Sequence, residues 1–372
     1  MKRAVWLLVV WGVMMMMGLR SQAESMVAVS DLHLTEATAD FAPALSAVRQ
    51  ALEGRQALLL LGDDTNNGKP VEHALLLQWL RETQAATNVE IYVVPGNHDL
   101  SRAINAASFA QLYASFGPSR AFSLDQASAS CAVMTRGGTC LLLLDTNAAD
   151  RPGHVAPSGG ISPETIAWVD HTLASLPSGT PAIACGHHPL LPESRLQATT
   201  GASALVDVLV KHGVGAYLCG HDHGFATVDG VLRQITVGQP QNYPGRCGVI
   251  TRTADGFAWR TETLYDADDP YYVKLRQGAE TLAHTMGRGT LRGTVHEADE
   301  DAIEWFAGAF LQYASGELTE ASCAQLLADE NCQKWREIQT RTVVKGWILN
   351  LLEHCPPDAR SIDIPNRPKA GE

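Results

Sequence analysis

The chain has 372 residues, 45% hydrophobic and 18% charged, a balance that excludes wholesale disorder and leaves room for a large α/β domain with an appendage, or for two domains. Its formal net charge of -12 at pH 7 repels nucleic-acid phosphates, so no non-specific DNA or RNA binding is expected, although a metal-rich cleft can still draw in a small anion.

At the N-terminus, Lys2 and Arg3 precede the apolar run Ala4 to Met17, and Ser21-Gln22-Ala23 puts small residues where a signal peptidase reads. This predicts a secretory signal over residues 1–23, cleaved after Ala23, and hence export to a periplasm or the extracellular medium. A retained anchor is the alternative, but the run is short for a span, no Cys follows it to carry a lipid, and no second stretch is long enough to cross a membrane. Cleavage removes Lys2, Arg3 and Arg20 and takes the formal charge to about -15. All eight cysteines lie beyond the signal, where an oxidising compartment permits disulfides. The expected pairings are Cys131 with Cys140, across a hairpin turning near Arg136-Gly137-Gly138, and a bridge among Cys323, Cys332 and Cys355; Cys185 and Cys219 read as core residues.

From Met26 the apolar pattern alternates strand and helix. Strands are predicted at Met26–Ser30, Ala57–Leu61 and Val89–Val94, with helices at Phe41–Glu53 and Val71–Thr83 between them. A helix at Ala106–Phe116 and strands at Ala121–Leu124, Cys131–Thr135 and Thr139–Leu144 follow. Ser162 as N-cap and Pro163 at the first helical position open a helix reaching about Leu176. Then come Ala182–Cys185, a helix at Ala202–His212, and Ala216–Cys219. Beyond His223, short turn-separated strands around 226–228, 231–237, 246–252 and 256–263 suit an antiparallel layer. The acidic turn Asp266 to Pro270 is the expected boundary of a domain spanning 24–265. A helical region over 266–355 is expected next, with helices at Ala302–Ala314, Ser322–Ala328 and Trp335–Leu352, then a flexible tail over 356–372. The acidic run Glu297 to Asp301 reads as a solvated helix start, not a ligand cluster.

Chemistry concentrates where strands end. Ser30-Asp31-Leu32-His33, Leu61-Gly62-Asp63-Asp64, Gly96-Asn97-His98-Asp99, Cys185-Gly186-His187-His188-Pro189 and Gly220-His221-Asp222-His223 each follow an apolar strand pattern. Loops at the carboxyl ends of parallel strands face one crevice, so these five can converge. Six of the 13 His fall in them, a clustering that a core tolerating histidine does not explain. Carboxylates, imidazoles and one amide suit divalent metals such as Mn, Fe or Zn. Asp31, His33, Asp63, Asn97, His187, His221 and His223 are too many ligands for one ion. Two ions sharing a carboxylate through both its oxygens would use them, bind a phosphate and activate water.

Asp31-x-His33, Gly62-Asp63, Gly96-Asn97-His98-Asp99, His187 and Gly220-His221-x-His223, in that order, resemble the calcineurin-like metallophosphoesterase family over roughly Met26 to Thr263. The resemblance implies a two-sheet α/β sandwich flanked by helices. It further implies that Asp31, His33 and His223 hold one metal with the bridging Asp63, and that Asn97, His187 and His221 hold the second with the same bridge. A metal-bridging hydroxide would attack a phosphomonoester or phosphodiester, His98 would protonate the leaving oxygen, and Asp99 would orient His98. Purple acid phosphatases place a tyrosine further along the second block, where Thr65-Asn66-Asn67 offers none. Nucleotide, cyclic-nucleotide and sphingomyelin-type diesters remain open as substrates, as does a non-catalytic scaffold on the same fold. His188 and Asp222 read as neighbours of ligands, and His154 as a possible lining residue of the cleft. His73, His171, His212, His284, His296 and His354 read as ordinary. Oligomeric state is not legible.

Overall fold

The computed structural model describes residues 23–148, 159–191, 199–339, 342–355 and 359–365. The body of the predicted signal segment, up to residue 22, and His154 lie outside the described residues.

Strand β1 (Ser25–Val29), helix α1 (Ala42–Ala51), strand β2 (Ala57–Leu60), helix α2 (Pro70–Thr87) and strand β3 (Glu90–Val93) follow one another as the pattern predicts. These strands are buried at every position because both faces are covered. The alternation of side chains sorts them: Met26, Ala28 and Leu59 enter the core between the sheets, while Val27, Val29, Leu58 and Leu60 face the layer containing Val48, Leu76 and Leu80. Helix α3 (Ala106–Leu112) stops before Phe116, and short 3-10 turns carry the chain on.

The second half contributes β4 (Ser123–Leu124), β5 (Cys131–Met134), β6 (Cys140–Leu143), α4 (Pro163–Ala174), β7 (Ala182–Cys185), α5 (Ala202–Lys211), β8 (Ala216–Cys219), β9 (Ala226–Asp229) and β10 (Arg233–Thr236). Ser162 Oγ accepts the Thr165 amide at 3.1 Å and Pro163 opens α4, the expected start. Strands β11 (Arg246–Thr253) and β12 (Gly256–Thr263) form a hairpin. Helices α6 (Pro270–Leu291), α7 (Glu300–Ala314), α8 (Glu320–Ala328), α9 (Glu330–Glu337) and α10 (Val343–Glu353) follow, then strand β13 (Ser361–Pro365).

One sheet runs β13-β12-β11-β1-β2-β3 and the other β4-β5-β6-β7-β8-β10-β9. In the first, β1, β2 and β3 are parallel; in the second, β6, β7, β8 and β10 are parallel. This is the expected two-sheet sandwich. Between the sheets lie Met26, Leu59, Tyr92, Leu141, Ile183, Leu218 and Trp259, and outside the second sheet Val169 of α4 and Leu205 of α5 join Leu142 and Tyr217 of the strands in a further core. The C-terminal helices enclose their own core, where Phe306 stacks on Trp335 at 4.8 Å and Trp335 Nε1 donates to the Ala302 carbonyl at 2.8 Å. Among the described residues no helix is long and apolar enough to cross a membrane.

Three expectations need correction and one is met. Cys131 and Cys140 are both free, because the β5–β6 register sets Cys131 opposite Leu143 and Cys140 opposite Met134, at opposite ends of the ladder and facing different cores. The C-terminal bridge forms as expected, between Cys323 and Cys355, and Cys332 stays free and buried. The helix expected over Trp335–Leu352 is two helices, since the Thr342 hydroxyl caps a new start by accepting the Lys345 amide at 3.2 Å. The tail does not simply fray: β13 pairs antiparallel with β12, buries Ile364 in the inter-sheet core, and the Ala359 carbonyl accepts Trp259 Nε1 at 3.0 Å. Helix α6 went undelineated in the sequence because Gly278, Gly287 and Gly289 interrupt its pattern, although Asp269 caps it and Pro270 opens it.

Candidate metal centre

Loops leaving the carboxyl ends of β1, β2, β3, β7 and β8 carry the five motifs, and parallel pairing within each sheet brings them to one rim. Asp31, His33, Asp63, His221 and His223 all take a positive φ, from 46° to 72°. The one further non-glycine residue of this kind among the described residues is Asn88, which caps the C-terminus of α2. Such a backbone costs about 1–3 kcal/mol per residue and persists only where the surroundings hold it. Here cross-loop hydrogen bonds do so: the Asp31 amide donates to the Gly62 carbonyl, the His33 amide to Asp63 and the Gly220 amide to His187, each at 2.9 Å. Two glycines permit the close approach. A Cβ on Gly96 would strike the Asp63 carboxylate, and one on Gly220 would meet Ser30 and Asp31 Oδ2.

Asp63 sits at the centre. Its Oδ1 accepts the His98 amide at 2.7 Å, while Oδ2 lies 3.1 Å from His187 Nε2 and 4.0 Å from His33 Nε2. A single oxygen therefore faces both groups of side chains. On one side, His223 Nε2 lies 3.4 Å from Asp31 Oδ1 and 3.2 Å from His33 Nε2. On the other, His221 Nδ1 lies 3.3 Å from His187 Nε2, and His187 Nδ1 donates to the Leu61 carbonyl at 2.9 Å, which leaves Nε2 to face inward. Asn97 lies between Gly96 and His98, both of which touch Asp63, and its Oδ1 is buried without a partner.

A calcineurin-like phosphoesterase family model matches residues 25–225, the stretch that carries all five motifs. The chain belongs to that family. It is a metal-dependent phosphoric ester hydrolase by class. A dimetal phosphatase from Danio rerio has a similar fold, at 16% identity and a TM-score of 0.50 over 66% of this chain and 98% of that one. A purple acid phosphatase from yellow lupin seeds is 12% identical, with a TM-score of 0.46, covering 67% of this chain and 53% of its own. No curated protein sequence matches.

The donors of this phosphoesterase fit divalent cations. Asp31 Oδ1 and Asn97 Oδ1 are buried acceptors that no hydrogen bond satisfies, and Asp31, His33 and His223 each bring one donor atom within 4.8 Å of the others, as do Asp31, Asp63 and His187. Burial drives the Asp31 carboxyl up to about 7, with the nearby Asp63 charge adding to it against the opposing pull of His187. Burial would raise Asp63 too, but the His187 charge and hydrogen bond and the His98 amide outweigh it, and the carboxyl falls well below the usual range. His187 answers in kind: burial pulls it down, Asp63 pulls harder, and the imidazole rises to about 10. His33 and His221 drop to about 4, mainly through burial. A proton thus holds the place that a cation would take between His187 and Asp63.

His98 is exposed at the rim, and its Nδ1 donates to the Asn66 carbonyl at 2.8 Å, which leaves Nε2 free. Asp99 does not touch that ring, contrary to expectation. Its carboxylate is buried and accepts the Thr65 amide (2.8 Å), the Thr65 hydroxyl (3.0 Å) and the Gly96 amide (2.9 Å), tying two motif loops together. Asp222, between His221 and His223 in sequence, is held up to about 6 by burial. Sequence reasoning missed His73 and Glu72. His73 is fully buried, donates from Nε2 to the Asp99 carbonyl at 3.0 Å, and accepts the Tyr113 hydroxyl on Nδ1 at 2.7 Å. Glu72 accepts the Asn67 amide and the Asn67 side chain, both at 2.8 Å. Only a capping-type Glu three residues after Lys69 hinted at this brace.

Proposed function

We propose that this protein is an exported, dinuclear metal-dependent phosphoesterase that hydrolyses a small phosphomonoester or phosphodiester. Asp31, His33, His223 and Asp63 would hold one divalent cation, and Asp63, Asn97, His187 and His221 the other, with Mn, Fe or Zn as the metals that this donor set suits. The observation that carries the reading is Asp63 Oδ2, which faces the two ligand groups at once beside buried acceptors that lack partners. When bound, the cations neutralise phosphate charge and lower the pKa of water.

The remaining work falls to the chain. The Asn66 carbonyl fixes His98 in the Nδ1–H form, so that when protonated the exposed Nε2 can hand a proton to a departing alkoxide or phenoxide oxygen. Asp99 and Thr65 keep the loop that bears His98 at a fixed distance from the loop that bears Asp63. Nucleic acid remains an unsuitable partner on charge grounds. Export is supported by the charged-then-apolar N-terminal segment and by the Cys323–Cys355 disulfide. The test is metal content together with hydrolysis of an aryl phosphate and a bis-aryl diester. Close to two metals per chain and chelator-sensitive turnover are expected; turnover that survives both chelation and Asp63→Asn sinks the reading. N-terminal sequencing of the secreted product should begin at Glu24.

A further inference from the structure

The geometry points to His188 as an additional ligand of the cation assigned to His187 and His221. This rests on the dinuclear reading above and changes the composition of one of its two sites. His188 is fully buried, and almost every polar group it owns already has a partner. Its amide donates to Thr146 Oγ1 at 3.1 Å, its ring Nδ1 lies 2.8 Å from the same hydroxyl, and its carbonyl accepts the Tyr217 hydroxyl at 2.8 Å. Nε2 is the exception: it is buried with no hydrogen-bond partner among the described residues.

With Nδ1 engaged by Thr146, Nε2 is the ring nitrogen that His188 has left to offer. His187, His188 and His221 each offer one ligand atom, and the three atoms lie within 4.8 Å of one another. The His188 ring stands 4.7 Å from that of His221 and 4.9 Å from that of His187, centroid to centroid. It is also held from behind. Gly159, at φ +73°, packs against the imidazole so closely that a Cβ there would occupy ring atoms, and Thr146 stops the ring from rotating. A histidine kept only for packing would direct its second nitrogen to a carbonyl, a hydroxyl or solvent. This one is clamped at every other point and presents an unmatched nitrogen to two imidazoles that are already ligand candidates.

The chemistry follows from the count. With His188, one site holds three imidazoles beside the Asp63 carboxylate and the Asn97 amide, whereas the other holds two imidazoles and two carboxylates. Imidazole-rich sites favour Fe, Co, Ni or Zn over Mn and bind them more tightly. The two cations therefore differ, one retained and one exchangeable.

The experiment uses full-length protein stripped of metal and titrated with Co(II), followed by calorimetry and by the visible absorption of the bound ion. Wild type should take two equivalents of unequal affinity. In His188→Ala the tighter equivalent should weaken more than tenfold and its absorption band should change, while the weaker equivalent stays within twofold. Thr146→Val, which keeps the ring but removes its clamp, should weaken the same equivalent by about tenfold, and this variant decides the matter if His188→Ala does not fold. His171→Ala, on the exposed face of α4, should change neither. Two equivalents with unaltered affinities and spectrum in both variants would overturn the inference and leave the dinuclear reading standing. Fewer than two equivalents in wild type would overturn that reading, and this inference with it.

Discussion

At the scale of single residues, Asn97 and His98 are neighbours with separable work. Asn97 has a buried carbonyl oxygen with no partner, and His98 an exposed ring anchored by Asn66. Asn97→Ala should lower metal content, whereas His98→Ala should keep both metals and reduce kcat by about 10²–10⁴-fold. The His98 loss should be severe for an alkyl ester and slight for a nitrophenyl ester, whose leaving group departs without a proton; equal losses for both would remove His98 from the acid role. The raised groups also set a pH dependence for metal loading. Asp31, at about 7, and His187, at about 10, are both protonated in the metal-free protein at pH 6 and belong to different sites, so each cation displaces one proton there, and near pH 8 only the cation at His187 still does. His33 and His221, at about 4, are already neutral and add nothing to the slope. Apparent affinity at the Asp31 site should therefore rise about tenfold per pH unit below 7 and level off above it, while at the His187 site it keeps rising about tenfold per unit up to about 10, as read by calorimetry in buffers of different ionisation enthalpy.

At the scale of elements, the N-terminal turn of α2 acts as a brace beneath the site. Glu72 holds Asn67, whose neighbour Asn66 holds the His98 ring, and His73 holds the Asp99 carbonyl. Glu72→Gln should leave metal content intact and reduce kcat by about tenfold, the size of a lost positioning contact, with little change in KM; unchanged kcat would show that the Asn66 carbonyl stays put without it. The strand ends were legible in the sequence because apolar runs followed by Asp, Asn and His break the ordinary rule for buried segments. The brace was not, because His73 lies in an unremarkable helix and its partner Asp99 is 26 positions away. The same limit explains the disulfide: a hairpin made Cys131 and Cys140 look adjacent, but only the register shows them at opposite ends of the ladder. Strand β13 was hidden by its proline-rich surroundings, and its Ile362 and Ile364 acquire meaning only once β12 lies beside them.

At the scale of the whole molecule, the C-terminal helices have a core that does not share residues with the sandwich. Arg246 on β11 donates to the Ser315 carbonyl and pairs with Glu317 at 3.2 Å, and Tyr313 approaches the backbone at Gly224, directly after His223. The Cys323–Cys355 bridge closes this helical unit across 32 positions and so restricts its unfolded chain. Loop-closure entropy puts that restriction at about 3–4 kcal/mol. Cys323→Ser should therefore melt the helical unit in a separate, earlier transition while the metal sites, built wholly from sandwich loops, keep their affinity. Calorimetry would show one transition shifted down and another, still metal-dependent, unmoved. If metal affinity falls together with the helical unit, the helices support the site through the Tyr313–Gly224 contact, and the two cores are energetically one.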